Sequence, residues 1–538
     1  NMKSNSPAHL LPNTIVFDLM FFRIILCFSV LHCCAFAAEA NGLLRDGESL
    51  KILSLQDALD EALANNLGLL SARYRPANAR DSVEIEAAEF DIEFFGSVSR
   101  SEAQAAASSS SLDSAAIPES EGRAARIGMQ KFLSSGASVT VDSTLNRSSS
   151  NNNAARNPDY TSRVGISIRQ PLLRDAWSAV NLAPLARARA EVDRSIFILR
   201  IDILDVLLET EIAYWNLAYA RAQRSLIESS ISLAENLLEE NMERQRLGLI
   251  TPLEVLQSET ELVNQQEDII QSERRIQDAE DVLRRLMGSV SFLDPIKEGI
   301  LVAAMPSSAP FLKPIDVVVA ETVATDLEAK AQEQAIEIQR INSVLAQDDT
   351  RPDLDLVGGI DYLGRDEDGY TAYRGAYAAD GYDWNVGLEL SFPWGFRDAE
   401  ARMRQADRNV EIETLRLYDI KQQRALAART AWRGVNTGLK RIEVTRKAMT
   451  LNEETFEQER ARYGSGLVAY RRVLEAQRDF DGAKSNYLDA IIDTLRSAVR
   501  LSRVDGSILE RNGYSWDRLD ELSEPPVLED RPEFNKPS

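Results

Sequence analysis

Val164-Gly165-Ile166-Ser167-Ile168-Arg169-Gln170-Pro171 has a second copy in Val386-Gly387-Leu388-Glu389-Leu390-Ser391-Phe392-Pro393. Both alternate apolar with small or polar residues, the period of a strand with two unlike faces, and both end at a proline. The copies lie 386 − 164 = 222 residues apart. Gly248-Leu249-Ile250 with Val255-Leu256-Gln257 matches Gly466-Leu467-Val468 with Val473-Leu474-Glu475, at 466 − 248 = 218, and Ala213-Tyr214 matches Ala431-Trp432 at the same offset. A register held to within a four-residue indel over such a distance marks an internal repeat.

Working outward, each copy reads alike. A helix comes first, Leu55 to about Ala88 and Ile315 to about Ala346. Strands follow, ending at Pro171 or Pro393, which mark the strand-to-helix transitions. A long helix then rises, turns at a glycine and returns as a second long helix. From Leu182 to Leu247 the only proline is Pro184, where a first turn tolerates it. Such a helix spans about 100 Å at 1.5 Å per residue. Ile227, Ile231, Ala234 and Leu238 make a coiled-coil seam, and Leu226, Leu233 and Leu237 a second beside it. Two adjoining seams suit a helix with a neighbour on each side, in a ring or in a plain four-helix bundle.

The strands carry a membrane expectation. Asp353 to Tyr362 and Val386 to Phe392 alternate, and Phe94, Phe95, Tyr362, Tyr370, Tyr373, Tyr377, Tyr382, Trp384 and Trp394 cluster near strand ends. Alternation with aromatic girdles is what a lipid-facing barrel requires, although a half-buried soluble sheet shares the alternation. Ala125 to Leu133 and Ala137 to Leu145 add a hairpin to the first copy alone. With 90–103 and 160–170 this makes four strands there and two in the second copy. The added hairpin either joins the barrel or lies outside it. Ala105 to Ser111, Ser148 to Asn153 and Arg365 to Asp380 have loop composition.

Composition narrows the chemistry. Cys27, Cys33, Cys34, His9 and His32 all precede an expected signal cleavage after Ala37 or Ala40, within a leader whose start reads best at Met20. Leu31-His32-Cys33-Cys34 fits a lipoprotein signal poorly. The processed chain then lacks Cys and His, which removes disulfides, Cys/His zinc sites and histidine acid–base chemistry. A net charge of −23 repels nucleic acid. The layout expected is a signal region at 1–40, a first repeat at 41–300, a second at 301–505 and an acidic, disordered tail at 506–538.

The residues resemble the TolC-like outer-membrane efflux proteins over about Leu53 to Leu509. Arg462-Tyr463-Gly464-Ser465-Gly466-Leu467 with Val473-Leu474-Glu475-Ala476-Gln477 looks like that family's hairpin tip, and Arg246-Leu247-Gly248-Leu249 with Val255-Leu256-Gln257-Ser258 is its first copy. Leu53-Ser54-Leu55-Gln56-Asp57-Ala58-Leu59 with Ala64-Asn65-Asn66 resembles the opening helix. The resemblance implies an α+β membrane fold. It comprises a trimer with a shared outer-membrane β-barrel and a long antiparallel α-helical coiled-coil barrel in the periplasm. No catalytic residue, cofactor or metal is implied. The partners implied are a periplasmic adaptor and an inner-membrane pump, proton- or ATP-driven, with the chain conducting substrates passively in efflux or type I secretion.

At the periplasmic gate Tyr463 matches the family's tyrosine and Glu254 its acidic partner, so a phenol–carboxylate hydrogen bond is expected there. Glu475 matches the second of two pore aspartates, while Arg472 replaces the first and Val468 replaces the tip arginine. Arg472 stands at i, i+3 spacing and either neutralises Glu475 at the pore, which puts an acidic pore ring in doubt, or makes a solvated surface ion pair with it. Gly248 and Gly466 supply the turns. Leu249, Ile250, Leu467 and Val468 either meet the adaptor or close the end of the coiled coil. The competing reading is a periplasmic coiled-coil scaffold or adaptor without a channel.

Overall fold

A computed structural model describes residues 49–104, 119–151, 156–289, 298–305, 312–520 and 524. The expected leader, the loop at 105–111 and nearly all of the tail beyond 520 lie outside the described residues. In chain order the elements are β1 (Ser49–Leu53), α1 (Leu55–Asn65), α2 (Leu67–Ala88), β2 (Ile92–Gln104), β3 (Glu119–Phe132), β4 (Ser138–Ser150) and β5 (Asp159–Pro171). Next come α3 (Ser178–Asn181), α4 (Ala183–Arg246), α5 (Pro252–Met287), β6 (Glu298–Val302), α6 (Ile315–Thr325), α7 (Leu327–Asp348) and β7 (Asp353–Asp366). The last are α8 (Gly369–Tyr377), β8 (Gly381–Ser391), α9 (Arg397–Gly464), α10 (Tyr470–Val504), α11 (Ile508–Arg511) and α12 (Trp516–Leu519). Among the described residues no helix is long and apolar enough to cross a membrane.

The repeat is visible element by element. The pairs α1/α6 and α2/α7 have equal lengths, 11 and 22 residues, and start 315 − 55 = 260 residues apart. The single opening helix expected in each copy is therefore two. Asn66 and Asp326 interrupt it, because each side chain accepts the backbone N–H three residues on, from Leu69 and Ala329. Since the offset falls from 260 to 222 by the strand ends, the first copy holds 260 − 222 = 38 extra residues. These make the hairpin β3–β4.

The chain divides into two compact units. One contains Ala62–Ile212, Ser308–Leu451 and the residues from Asp489 onward. Here the six long strands form one antiparallel sheet, ordered β2-β3-β4-β5-β7-β8, so the extra hairpin lies within the sheet and β2 and β8 are its edges. The register aligns Phe94 with Met129, Val141 with Ile166, Ile166 with Ile360, and Ile360 with Trp384. These side chains share one apolar face with Ile127, Ile168, Leu356, Val386, Leu388 and Leu390, most of them exposed. The opposite face is polar and ion-paired. Arg126 meets Asp142 at 3.0 Å, Arg163 meets Asp361 at 3.5 Å, and Arg169 bridges Glu389 at 2.7 Å and Asp355. The helices of this unit bury Val318, Ala428, Val435 and Leu501 together.

Three expectations are corrected here. The segment from Arg365 to Asp380, read as a loop, contains α8. Asp368 caps it by accepting the Thr371 N–H at 2.9 Å, and Ala372 and Ala376 are buried against the sheet at Gly364. Ser148 to Ser150, likewise read as loop, belongs to β4. The tail is ordered as far as Asp520. Ile508, Leu509, Tyr514 and Leu519 are buried, Arg511 pairs with Glu211, and Arg200 grips Asp520 at 2.7 Å. Apolar side chains and paired charges give this segment its burial.

The other unit contains the described residues through Glu61, with Ala213–Ser307 and Asn452–Leu488. The short strands β1 and β6 pair in parallel, and both were missed in the sequence. Leu53, Tyr214, Leu217, Leu283, Met287 and Ile300 form its core. The Tyr214 hydroxyl donates to the Leu53 carbonyl at 3.0 Å and accepts the Ala303 N–H at 2.9 Å. Its repeat counterpart, in the first unit, behaves alike. The Trp432 indole N–H donates to the Lys313 carbonyl, just ahead of α6, at 2.8 Å.

Candidate functional site

The two hairpin turns close in the same way. At Gly248 and Gly466 φ is +73° and +72°, the left-handed conformation that favours glycine. The Leu249 N–H reaches the Arg244 carbonyl at 2.9 Å and the Gly248 N–H reaches that of Gln245 at 2.8 Å. In the second copy the Leu467 N–H reaches Arg462 and the Gly466 N–H reaches Tyr463, both at 2.9 Å. Each glycine thus satisfies carbonyls that a helix end leaves without partners. Leu249 and Leu467 project into solvent, 70% and 72% exposed, whereas Ile250 and Val468 are half-buried against the turns.

Behind the turns lies a polar cluster that sequence reading only partly found. Tyr463 is 4% exposed, and its hydroxyl donates to Asn241 Oδ1 at 2.6 Å. The Asn241 amide in turn donates to Ser258 Oγ at 2.6 Å, and the Ser258 hydroxyl donates to the Glu254 carbonyl at 3.0 Å. The phenol expected on a carboxylate therefore sits on an amide within its own chain. Glu254 is otherwise engaged and accepts the Thr251 N–H at 3.1 Å, capping α5. Arg244 lies over the Tyr463 ring at 4.5 Å and donates to the Tyr463 and Gly464 carbonyls at 3.1 and 3.4 Å, holding the end of α9. Tyr470 packs at 5.6 Å from the Tyr463 ring. Burial pushes the Tyr463 phenol above the ordinary tyrosine range, with Arg244 opposing and Glu254 and Glu240 reinforcing the shift. Both hydroxyls thus remain protonated donors at neutral pH, since burial raises Tyr470 as well.

Asn241 carried a signal. It continues the 4-3-4 spacing of Ile227, Ile231, Ala234 and Leu238, so it is a polar residue on an apolar seam. Arg244 carried none, because its partner lies 219 residues away.

On the outer turn of α10 the expected pair is present. Arg472 meets Glu475 at 3.3 Å, and Arg471, not expected, meets it at 3.0 Å. The hydrogen bond from Arg471 holds the Glu475 carboxyl below its ordinary range, with Arg472 adding to it. Deeper in the bundle Arg478 reaches Glu261 at 2.7 Å and Ser230 reaches Asp481 at 3.0 Å. Pro171 ends β5, and Pro393 follows β8 by two residues, ahead of a turn at Gly395 with φ +91°. Nothing in these arrangements sets a nucleophile beside a base. They are hairpin closures with buried locks.

The outer membrane efflux protein family matches residues 137–289 and 320–507, which is more than half of the chain and spans both repeats. The chain belongs to this family, whose members are outer-membrane efflux channels. Among solved structures it is similar to the outer membrane channel CmeC of Campylobacter jejuni, at 16% identity and a TM-score of 0.66, covering 89% of this chain and 90% of that one. It is also similar to the outer membrane protein VceC of Vibrio cholerae (16%, TM-score 0.61, 84% and 96%) and to the open MtrE channel of Neisseria gonorrhoeae (15%, TM-score 0.56, 84% and 88%). No curated protein sequence matches.

Proposed function

We infer that three copies of this chain form one conduit across an outer membrane, passing substrates passively outward from a periplasmic adaptor and an inner-membrane pump. The observation that carries this reading is the two-faced sheet with open edges. An apolar face suits lipid and an ion-paired face suits a water-filled bore. Edges left without partners in hydrocarbon are costly, so a spanning sheet must close. With every neighbouring pair antiparallel, β2 and β8 run in opposite directions, and β8 of one copy can pair with β2 of the next. Three sheets of six strands then give an eighteen-stranded barrel, with the hairpin β3–β4 in its wall.

In this reading the tips serve recognition and gating. Leu249 and Leu467, supported by Ile250 and Val468, meet the adaptor. Tyr463 and Glu254 hold the hairpins in register from inside, the first through Asn241 and the second through the α5 cap. Glu475, flanked by Arg471 and Arg472, makes the pore mouth a ring of ion pairs rather than of bare carboxylates.

Cysteine pairs, one along β2 and one along β8, test the assembly in cells. Oxidation is expected to yield covalent dimers and trimers for pairs in register. If every pair along both strands leaves monomers, the shared barrel is wrong, and release of the protein by osmotic shock would favour the scaffold.

A further inference from the structure

The apolar face of the sheet carries a feature that conduction does not require. At the end of the sheet where β2–β3, β4–β5 and β7–β8 connect, α8 lies on this face rather than on the polar one. Its backbone comes so close to Gly364 that a Cβ there would meet the Ala372 carbonyl oxygen at 2.0 Å, and at Gly369 one would meet the Tyr160 ring at 3.0 Å. The helix covers Ser162 and Gly364, on β5 and β7, and reaches no further than β4. What remains is a cleft of about 420 Å³ lined by Gly96, Val98, Ala125, Ile127, Leu145 and Tyr373.

The mouth of this cleft is basic. Val98 pairs with Ala125 and Ala125 with Leu145; two residues further out on the same face, Arg100 pairs with Arg123 and Arg123 with Arg147. Three guanidinium groups thus border the apolar cavity. They share Glu121, at 3.2 Å from Arg100, 2.8 Å from Arg123 and 3.7 Å from Arg147, and Glu102 lies 3.8 Å from Arg100. Both carboxylates belong to the next row outward, away from the cleft. Glu121 cannot satisfy all three cations. Arg147 Nη1 is buried without a hydrogen-bond acceptor among the described residues. Guanidinium donors in this position match phosphate oxygens in shape and charge.

We propose that this cleft holds a phosphorylated lipid of the outer leaflet, with one acyl chain between α8 and strands β2–β4 and the phosphate on Arg100, Arg123 and Arg147. The assignment rests on the apolar face meeting lipid. A basic pocket beside an apolar wall at headgroup depth is how proteins recognise anionic lipids. The Tyr373 ring closes the cleft from the side, and the exposed Tyr370 and Tyr377 suit the interface.

Native mass spectrometry of the purified full-length protein in detergent tests the site, with dioleoyl phosphatidic acid, dioleoylglycerol and inorganic phosphate as probes. Retention of phosphatidic acid is expected to exceed that of dioleoylglycerol at least tenfold, with inorganic phosphate failing to compete. Arg147→Gln, which removes the buried donor, and Ala125→Phe, which fills the cleft, should each lower that retention about tenfold. Single-channel conductance should be unchanged in both, because both positions face away from the bore. Equal retention by wild type and both variants would overturn the site while leaving the conduit intact. Competition by inorganic phosphate as effective as the lipid would reduce it to a free-anion site and overturn the lipid. If no preparation conducts ions, it is the conduit reading beneath the proposal that fails.

Discussion

At the residue scale, the Tyr463–Asn241 hydrogen bond locks the second hairpin tip to α4. The tyrosine was legible because it stands in a tip motif beside a glycine turn. Its partner lies 222 residues away, and only the polar interruption of the α4 seam pointed to it. Tyr463→Phe leaves a buried Asn241 oxygen without its donor, and stability should fall by about 1–2 kcal/mol. Thermal unfolding in detergent checks this, and the same variant should raise single-channel conductance if the lock restrains the tip. The pH dependence has a defined sign. The folded-state pKa is raised, so the tyrosine's contribution is full below the ordinary tyrosine range near about pH 10. It declines as pH climbs from there toward the folded value, because the unfolded chain loses its proton first. The stability gap between wild type and Tyr463→Phe should therefore narrow above about pH 10 and stay constant below it. A gap that does not change with alkalinity would count against a buried, hydrogen-bonded phenol.

At the element scale, long periodic segments were readable and short, tertiary-held ones were not. The hairpin α4–α5 follows from the seam spacing of α4 and the turn at Gly248, α9–α10 from the matching tip at Gly466, and the added hairpin β3–β4 from alternation around Ser134-Ser135-Gly136. The helix α8 did not show itself, because Asp, Gly and Tyr make a loop-like composition. It exists through one cap at Asp368 and a glycine at 364 that lets its backbone approach the sheet. The breaks at Asn66 and Asp326 were overlooked because apolar spacing runs across them, although both are good capping residues. The turn glycines allow a clean test. At Gly248 and Gly466 an added Cβ meets nothing within 4 Å, so alanine is opposed by backbone conformation alone. Gly466→Ala and Gly248→Ala should each cost about 1–2 kcal/mol. Gly482, on α10 with equally open surroundings and an ordinary helical conformation, is the control. Alanine there should be neutral or stabilising by up to about 1 kcal/mol. Equal melting temperatures for all three variants would show that the turns are not fixed by left-handed glycines.

At the scale of the whole molecule, the repeat was the most informative property of the sequence, and its inequality gives the chain its own character. The second copy passes from α7 to Pro393 with two strands, while the first takes 38 residues more (260 − 222) and adds two strands to the same sheet. A wider barrel wall follows if three copies close edge to edge. Strand alternation could suggest this but not decide it, because the same pattern serves a hairpin outside the barrel. Strand order, a property of pairing between distant segments, places the hairpin within the six-stranded sheet. Planar-bilayer recording of the purified protein tests the conduit most directly. The account predicts discrete, reproducible ion-conducting steps from trimers, with larger steps when Tyr463 is replaced by Phe. A protein that enters the bilayer as a trimer yet never conducts, with or without that substitution, would contradict it.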